Sequence, residues 1–204
     1  MGRKENVKKC KSPKGKGATG VELTKAALLT AVFCMLAPHT VFLPVSPVGV
    51  TLGSFLLYLT GVLLGPRLGC ISVFLYLLLG FLGLPIFSGY TAGAGVLLGP
   101  TGGYLLGYLP CVALVGWFVG KKGKGKGGIF FFLLGAVLGT LALYMVGTAW
   151  FLFVYTKGGS VTEAVVSCVL LFLPADAVKI LMATVLYKPL RRLLAQHGSV
   201  WYDY

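Results

Sequence analysis

Asp176 and Lys179 lie in the apolar run Leu171-Phe-Leu-Pro-Ala-Asp-Ala-Val-Lys-Ile180, the only acid and base set deep within the hydrophobic stretches of this chain. Charged groups are costly in lipid, and where they occur in membrane helices they usually mark a ligand or ion pathway. Spaced i and i+3, the two heads fall on one face of a helix. They offer an acceptor and a donor side by side, which suits the binding of a polar solute. The alternative is a structural ion pair, which needs good geometry and further partners to offset its desolvation. A ligand site is the preferred expectation. Pro174, two residues before Asp176, is expected to remove a backbone hydrogen bond and kink the span, leaving the carbonyl near Leu170 to face the same cavity.

The elements that carry this pair follow from composition. Of 204 residues, 57% are hydrophobic and only 11% are charged, against about 25% charged in soluble domains. One compact membrane bundle accounts for the length. Six apolar segments span residues 23–43, 50–65, 68–83, 95–119, 128–154 and 162–187. The second and third are short and join through the tight turn Gly65-Pro-Arg-Leu-Gly69. The expected fold is all-α: a polytopic membrane protein with six transmembrane helices. Residues 1–20 form a basic tail expected to be disordered, 21–192 the transmembrane domain and 193–204 a short tail. No small-residue cleavage site followed by a soluble domain appears, so the first span is expected to be retained.

Charge sets the orientation. With both termini cytoplasmic, sixteen basic residues fall inside, among them Arg67, Lys121, Lys122, Lys124, Lys126, Lys188, Arg191 and Arg192. The outer connections hold only Lys157. An even number of spans and this asymmetry support each other, and the expected location is the cell membrane. The net charge of +13 suggests nucleic acid at first sight. The charges sit in tails and short loops between apolar spans, which argues against a nucleic-acid partner.

Other motifs point to no enzyme. Gly116-Trp-Phe-Val-Gly-Lys-Lys-Gly-Lys-Gly-Lys126 fails the phosphate-loop pattern, because three residues separate the glycines and no Ser or Thr follows the lysine. It is read as a basic loop, so any ATP site belongs to another subunit. Gly93-Ala-Gly-Val-Leu-Leu-Gly99 misses the dinucleotide spacing and lacks a βαβ setting. Ser88 lacks the nucleophile elbow. Cys10, Cys34, Cys70, Cys111 and Cys168 lack metal or disulfide spacing. His39, beside Pro38, is read as an interfacial residue. Small-x-x-x-small pairs are abundant: Ala27/Ala31, Gly61/Gly65, Gly95/Gly99, Gly99/Gly103, Gly103/Gly107 and Gly135/Gly139. Such pairs allow close helix packing, and Ala27/Ala31 on the first span are also placed to meet a partner helix. Residues 83–95, rich in glycine and holding Phe87, Ser88, Tyr90 and Thr91, read either as a lid or as an ordinary surface loop.

The runs Leu63-Leu-Gly-Pro-Arg-Leu-Gly69, Tyr76-Leu-Leu-Leu-Gly-Phe-Leu-Gly-Leu-Pro-Ile-Phe87 and Leu98-Gly-Pro-Thr-Gly-Gly-Tyr-Leu-Leu-Gly107 resemble the BioY family. Gly147-Thr-Ala-Trp150 and Phe172-Leu-Pro-Ala-Asp-Ala-Val-Lys179 do so too. These are the biotin-specific substrate-binding (S) subunits of energy-coupling factor (ECF) transporters. The family often has glutamine where Gly53 stands, a small residue at Tyr90 and glycine at Ala175. The resemblance implies an S-component bundle with biotin as its ligand and no cofactor. It also implies a transmembrane coupling subunit and two ATPase subunits as partners, with Ala27 and Ala31 on the docking face. Asp176 then suits the ureido N–H groups as acceptor, and Lys179 suits either the ureido carbonyl or the carboxylate. Trp150, Tyr144, Tyr104 and Phe172 are candidate walls, with Thr51 and Tyr90 contributed by the two outer loops. Which end of biotin Lys179 meets is left open by the residues. An S subunit for another vitamin, a self-sufficient proton-coupled carrier and a scaffold protein are the rival readings.

Overall fold

The structure, a computed structural model, describes residues 20–41, 50–122, 127–155 and 172–196. The expectations placed on the N-terminal tail, on Lys157, on residues 162–171 and on most of the C-terminal tail lie outside these residues. The described chain is helical apart from a two-stranded ribbon. Its elements are α1 (Gly20–Leu36), β1 (Thr40–Val41), β2 (Val50–Thr51), α2 (Gly53–Phe81), a 3-10 turn (Ser88–Tyr90), α3 (Ala94–Leu97), α4 (Gly102–Lys122), α5 (Gly128–Trp150) and α6 (Leu173–Gln196). A π-helical turn, Phe151–Tyr155, prolongs α5.

Several expected boundaries shift. The first span stops at Leu36 rather than 43, because Pro38 disfavours helix in the residue before it. The segment expected over 95–119 divides into the single turn α3 and the long α4. Among the described residues the last helix covers Leu173–Gln196, past the expected end at 187; the expected start at 162 lies outside them.

The second and third segments form one assigned helix broken at a single residue. Gly65 adopts φ 68°, ψ −162°, a combination essentially restricted to glycine, and Pro66 follows it. The expected five-residue turn therefore contracts to one residue. The two limbs fold back on each other: a Cβ on Gly69 would lie 3.7 Å from the Thr60 carbonyl oxygen, whereas nine residues of straight helix advance about 13.5 Å. Gly116 of α4 lies against the break, where a Cβ would come 2.9 Å from the Gly65 Cα.

α4 packs between α2 and α5, α1 packs on α2, and α6 packs on α2 and more lightly on α5. Glycines set the spacing of α4 and α5. A Cβ on Gly107 would meet Leu143 at 3.0 Å, and one on Gly139 would meet the Cys111 carbonyl at 3.1 Å. The pairs Gly103/Gly107 and Gly135/Gly139 thus serve close helix contact. Gly95 has nothing within 4 Å, so Gly95/Gly99 joins no helices among the described residues.

α1 is fixed to the second limb of α2 by hydroxyls. Thr30 Oγ1 donates to the Ala26 carbonyl at 2.9 Å and lies 3.0 Å from Ser72 Oγ, which itself donates to Ala26 at 3.2 Å. This turns Ala26, Thr30 and Phe33 inward and leaves Ala27 and Ala31 exposed. The exterior is strongly apolar, including Leu28, Met35, Phe74, Phe130, Met145, Leu181 and Val185. An apolar belt of this extent suits lipid rather than water. Gly102–Gly120 and Gly128–Val154 are each long and apolar enough to cross a membrane, and Gly53–Phe81 is equally apolar but folded back at Gly65 into two shorter limbs.

Gly65→Ala is expected to destabilise the fold by about 1–3 kcal/mol, because alanine cannot relax into this conformation. Thermal unfolding in detergent checks this; an unchanged midpoint would show that the break does not depend on glycine.

Candidate functional site

Phe172 leads into α6, and its carbonyl accepts the Asp176 N–H at 2.9 Å. Pro174 is the second residue of that helix. There its missing N–H interrupts no helical hydrogen bond among the described residues, and the expected kink falls on residues outside them. The Leu170 carbonyl lies outside the described residues. Asp176 therefore stands in the first turn of the described helix, where the helix dipole favours a carboxylate.

The pair is real, and other groups complete it. Lys179 Nζ lies 2.9 Å from Asp176 Oδ1. Ser54, in the first turn of α2, donates to the same oxygen at 2.9 Å and accepts from Lys179 Nζ at 3.0 Å. Tyr144, near the end of α5, donates to Asp176 Oδ2 at 2.5 Å. Asp176 is 5% exposed and Lys179 8%. Hydrogen bonds to ionised groups are shorter and stronger than neutral ones, and this network answers the desolvation that an isolated pair would suffer. An ammonium has three N–H donors. The contacts to Asp176 and Ser54 leave one for a solute.

Asp176 and Lys179 border a cavity of about 70 Å³ at the end of the bundle that carries the ribbon. Thr51, Tyr104, Tyr144 and Phe172 line it with them, so six of the eight expected ligand residues converge. Trp150 and Tyr90 are not in its wall. Trp150 instead donates Nε1–H to the Gly99 carbonyl at 3.0 Å, fastening the segment before α4 to the end of α5. Tyr90 is exposed and pairs with His39 at 3.3 Å.

The wall also holds residues with no signal of their own in the sequence: Ser54, Val96, Thr101, Leu105, Tyr108 and Leu143. Phe87 and Ser88 join them from the glycine-rich segment. Two glycines make room for the aromatic wall. A Cβ on Gly147 would stand 2.5 Å from the Tyr104 ring, and one on Gly53 would collide with the Tyr108 hydroxyl. The departure at Gly53 thus has a local reason, because Tyr108 occupies the space a longer side chain would take. Most of the wall is apolar with a few convergent polar groups, the usual makeup of a small-molecule site. Among the described residues, no three His, Cys, Asp or Glu side chains gather in a way that could hold a metal ion.

A model of the BioY family matches residues 10–196. This chain belongs to the BioY family. The probable biotin transporter BioY of Pyrococcus horikoshii is 34% identical over 170 residues, covering 83% of this chain and 96% of that protein. The biotin transporter BioY of Lactococcus lactis is 33% identical, covering 83% and 90%. Among solved structures, the S-component for biotin from an ECF-type ABC transporter superposes with a TM-score of 0.76 at 31% identity, covering 84% of this chain and 91% of that one. The BioY chain described here thus shares both sequence and helix arrangement with that S-component.

Ser54→Ala removes a donor to Asp176 and an acceptor for Lys179 while leaving their direct contact. The expected loss is about 1.5–3 kcal/mol, the range for hydrogen bonds to charged groups. Thermal unfolding in detergent measures it. No loss would show that the ion pair stands without its bridge.

Proposed function

We propose that this chain is the biotin-capturing S subunit of an ECF-type uptake transporter. The observation that carries the proposal is the Asp176–Lys179 pair in a cavity wall of a BioY-family chain. Biotin's ureido group has two N–H donors and one carbonyl acceptor. The free N–H of Lys179 suits the carbonyl, and the Oδ2 edge of Asp176 suits an N–H. Electrostatics favours this end of the ligand over its carboxylate. A ligand carboxylate on Lys179 would sit beside Asp176 Oδ1, already 2.9 Å from Nζ, and two like charges would share one ammonium. A neutral donor–acceptor group escapes that repulsion. Tyr104, Phe172 and Tyr108 suit the fused rings and the aliphatic chain.

The six spans of the proposal are α1, the two limbs of α2, α4, α5 and α6. The excess of basic residues at the termini and at Lys121–Lys126 supports cytoplasmic ends in the cell membrane. The ribbon and the 84–93 segment then face outside. Energy comes from a transmembrane coupling subunit and two ATPase subunits. Ala27 and Ala31 support docking on the first of these, since both are exposed on α1 and small residues let another helix approach closely.

Calorimetry of biotin with the purified, detergent-solubilised chain, stripped of bound ligand, tests the ligand. One-to-one binding is expected. Asp176→Ala is expected to weaken it by roughly a hundredfold or more, since it leaves the Lys179 charge buried and unpaired. Unchanged affinity in that variant removes the pair from the site. Failure of a folded wild-type sample to bind biotin shifts the assignment to another vitamin, or to a carrier using the pair as a proton relay. The double variant Ala27→Val, Ala31→Val is expected to bind biotin normally and to lose uptake in cells that carry the energising subunits. Intact uptake would refute the docking face.

A further inference from the structure

Two segments close the ribbon end of the cavity, and one hydroxyl joins them. β1 pairs with β2 so that Thr40 stands opposite Thr51, a residue of the cavity wall. The segment after α2 brings Phe87 and Ser88 to the same wall. Thr40 Oγ1 lies 2.9 Å from Ser88 Oγ, donates to the Pro38 carbonyl at 3.1 Å and accepts from the Gly89 N–H at 3.2 Å. That N–H also reaches the Pro38 carbonyl at 3.0 Å. A threonine hydroxyl has one proton. With that proton on Pro38, Ser88 is the donor to Thr40.

The segment is firmly rooted on both sides of this tie. Phe87 is fully buried, stands edge-on to Tyr76 at 5.7 Å and donates its backbone N–H to the Thr91 carbonyl at 3.1 Å. The Gly93 N–H holds the Gly80 carbonyl at 2.8 Å. Between these roots, the Ser88–Tyr90 tip meets residues 38–40 through Thr40, the Pro38 carbonyl and His39. The His39 and Tyr90 rings are edge-on at 5.8 Å. Tyr90 has φ 61°, a conformation disfavoured for any residue with a Cβ and kept only where neighbours enforce it. The tip is thus held by a few exchangeable polar contacts, one of which spans from one cavity wall to the other.

We propose that Thr40 is a positioning residue that latches the cavity: its hydroxyl ties the Ser88 tip to the Thr51 ribbon, and release of that tie sets the rate at which ligand enters and leaves. The ligand's identity rests on the function proposed above; the latch itself does not. The test uses the full chain in detergent as wild type, Thr40→Val and Thr40→Ser. Stopped-flow exchange gives the biotin association and dissociation rates. Hydrogen exchange without ligand gives the opening of residues 84–93, with the Gly89 amide as reporter.

Thr40→Val is expected to raise both rates about threefold to tenfold, the worth of one or two hydrogen bonds, so that Kd moves less than either rate. Gly89 exchange rises in parallel, and Thr40→Ser restores wild-type behaviour in both measurements. Adding Ser88→Ala to Thr40→Val gives little further increase in Gly89 exchange, as for two members of one contact. Unchanged exchange in Thr40→Val overturns the latch, whether or not the rates move, and so does faster exchange with unchanged rates. If wild type binds no biotin while Gly89 exchange quickens in Thr40→Val, the tie stands and the ligand assignment fails.

Discussion

A carboxylate and an ammonium buried together must be given partners, and much of this structure meets that requirement. Asp176 and Lys179 neutralise each other, yet neutrality leaves lone pairs and N–H groups to satisfy in a medium without water. Ser54 answers from α2, and Tyr144 from α5. The start of α6 contributes its dipole. Three helices distant in sequence are therefore tied at one point, at the end of the bundle where a cavity opens. The same contacts orient the pair, so holding the fold together and presenting one free N–H are a single act.

The wall opposite the pair depends on small residues. α4 and α5 approach closely because glycines at 103, 107, 135, 139 and 147 remove the side chains that would separate them. The space released is filled from the partner helix: Tyr104 lies over Gly147, as Tyr108 lies over Gly53. Glycine at these sites converts helix spacing into aromatic surface facing the cavity. The break at Gly65 extends the same economy, since a one-residue reversal lets both limbs of α2 lie against their neighbours.

How much of this could be read from the sequence differs by residue. Asp176 and Lys179 were legible because charge in an apolar run violates its surroundings. Their bridge Ser54 was not: it stands 122 residues from Asp176, and a serine in an apolar segment has no signature until its partner is known. A continuous apolar run also hides where a helix starts, although a proline just before an acid is itself a signal of a first turn. Trp150 was expected as wall because it is large and aromatic, but its indole N–H needed an acceptor and found the Gly99 carbonyl. The long apolar helices were legible from hydropathy. The contraction of a five-residue turn to Gly65 was not, because it depends on contact with Gly116.

Neutrality of the pair also bears on movement across a membrane. Carrying one elementary charge through a potential of 100 mV involves about 2.3 kcal/mol. A lone Asp176 or Lys179 would bring such a term into any reorientation of the bundle. As a salt bridge the two contribute no net charge, and the proposed ligand's own carboxylate is then the main charge that a loaded site adds. The pair can thus bind through charge-assisted hydrogen bonds while remaining electrically silent as a unit. A single charge of either sign would bind as strongly at one atom but would oppose or favour transport according to the membrane potential. The i, i+3 spacing on one helix face makes this silence independent of how the surrounding helices move, because both charges travel on the same rigid element.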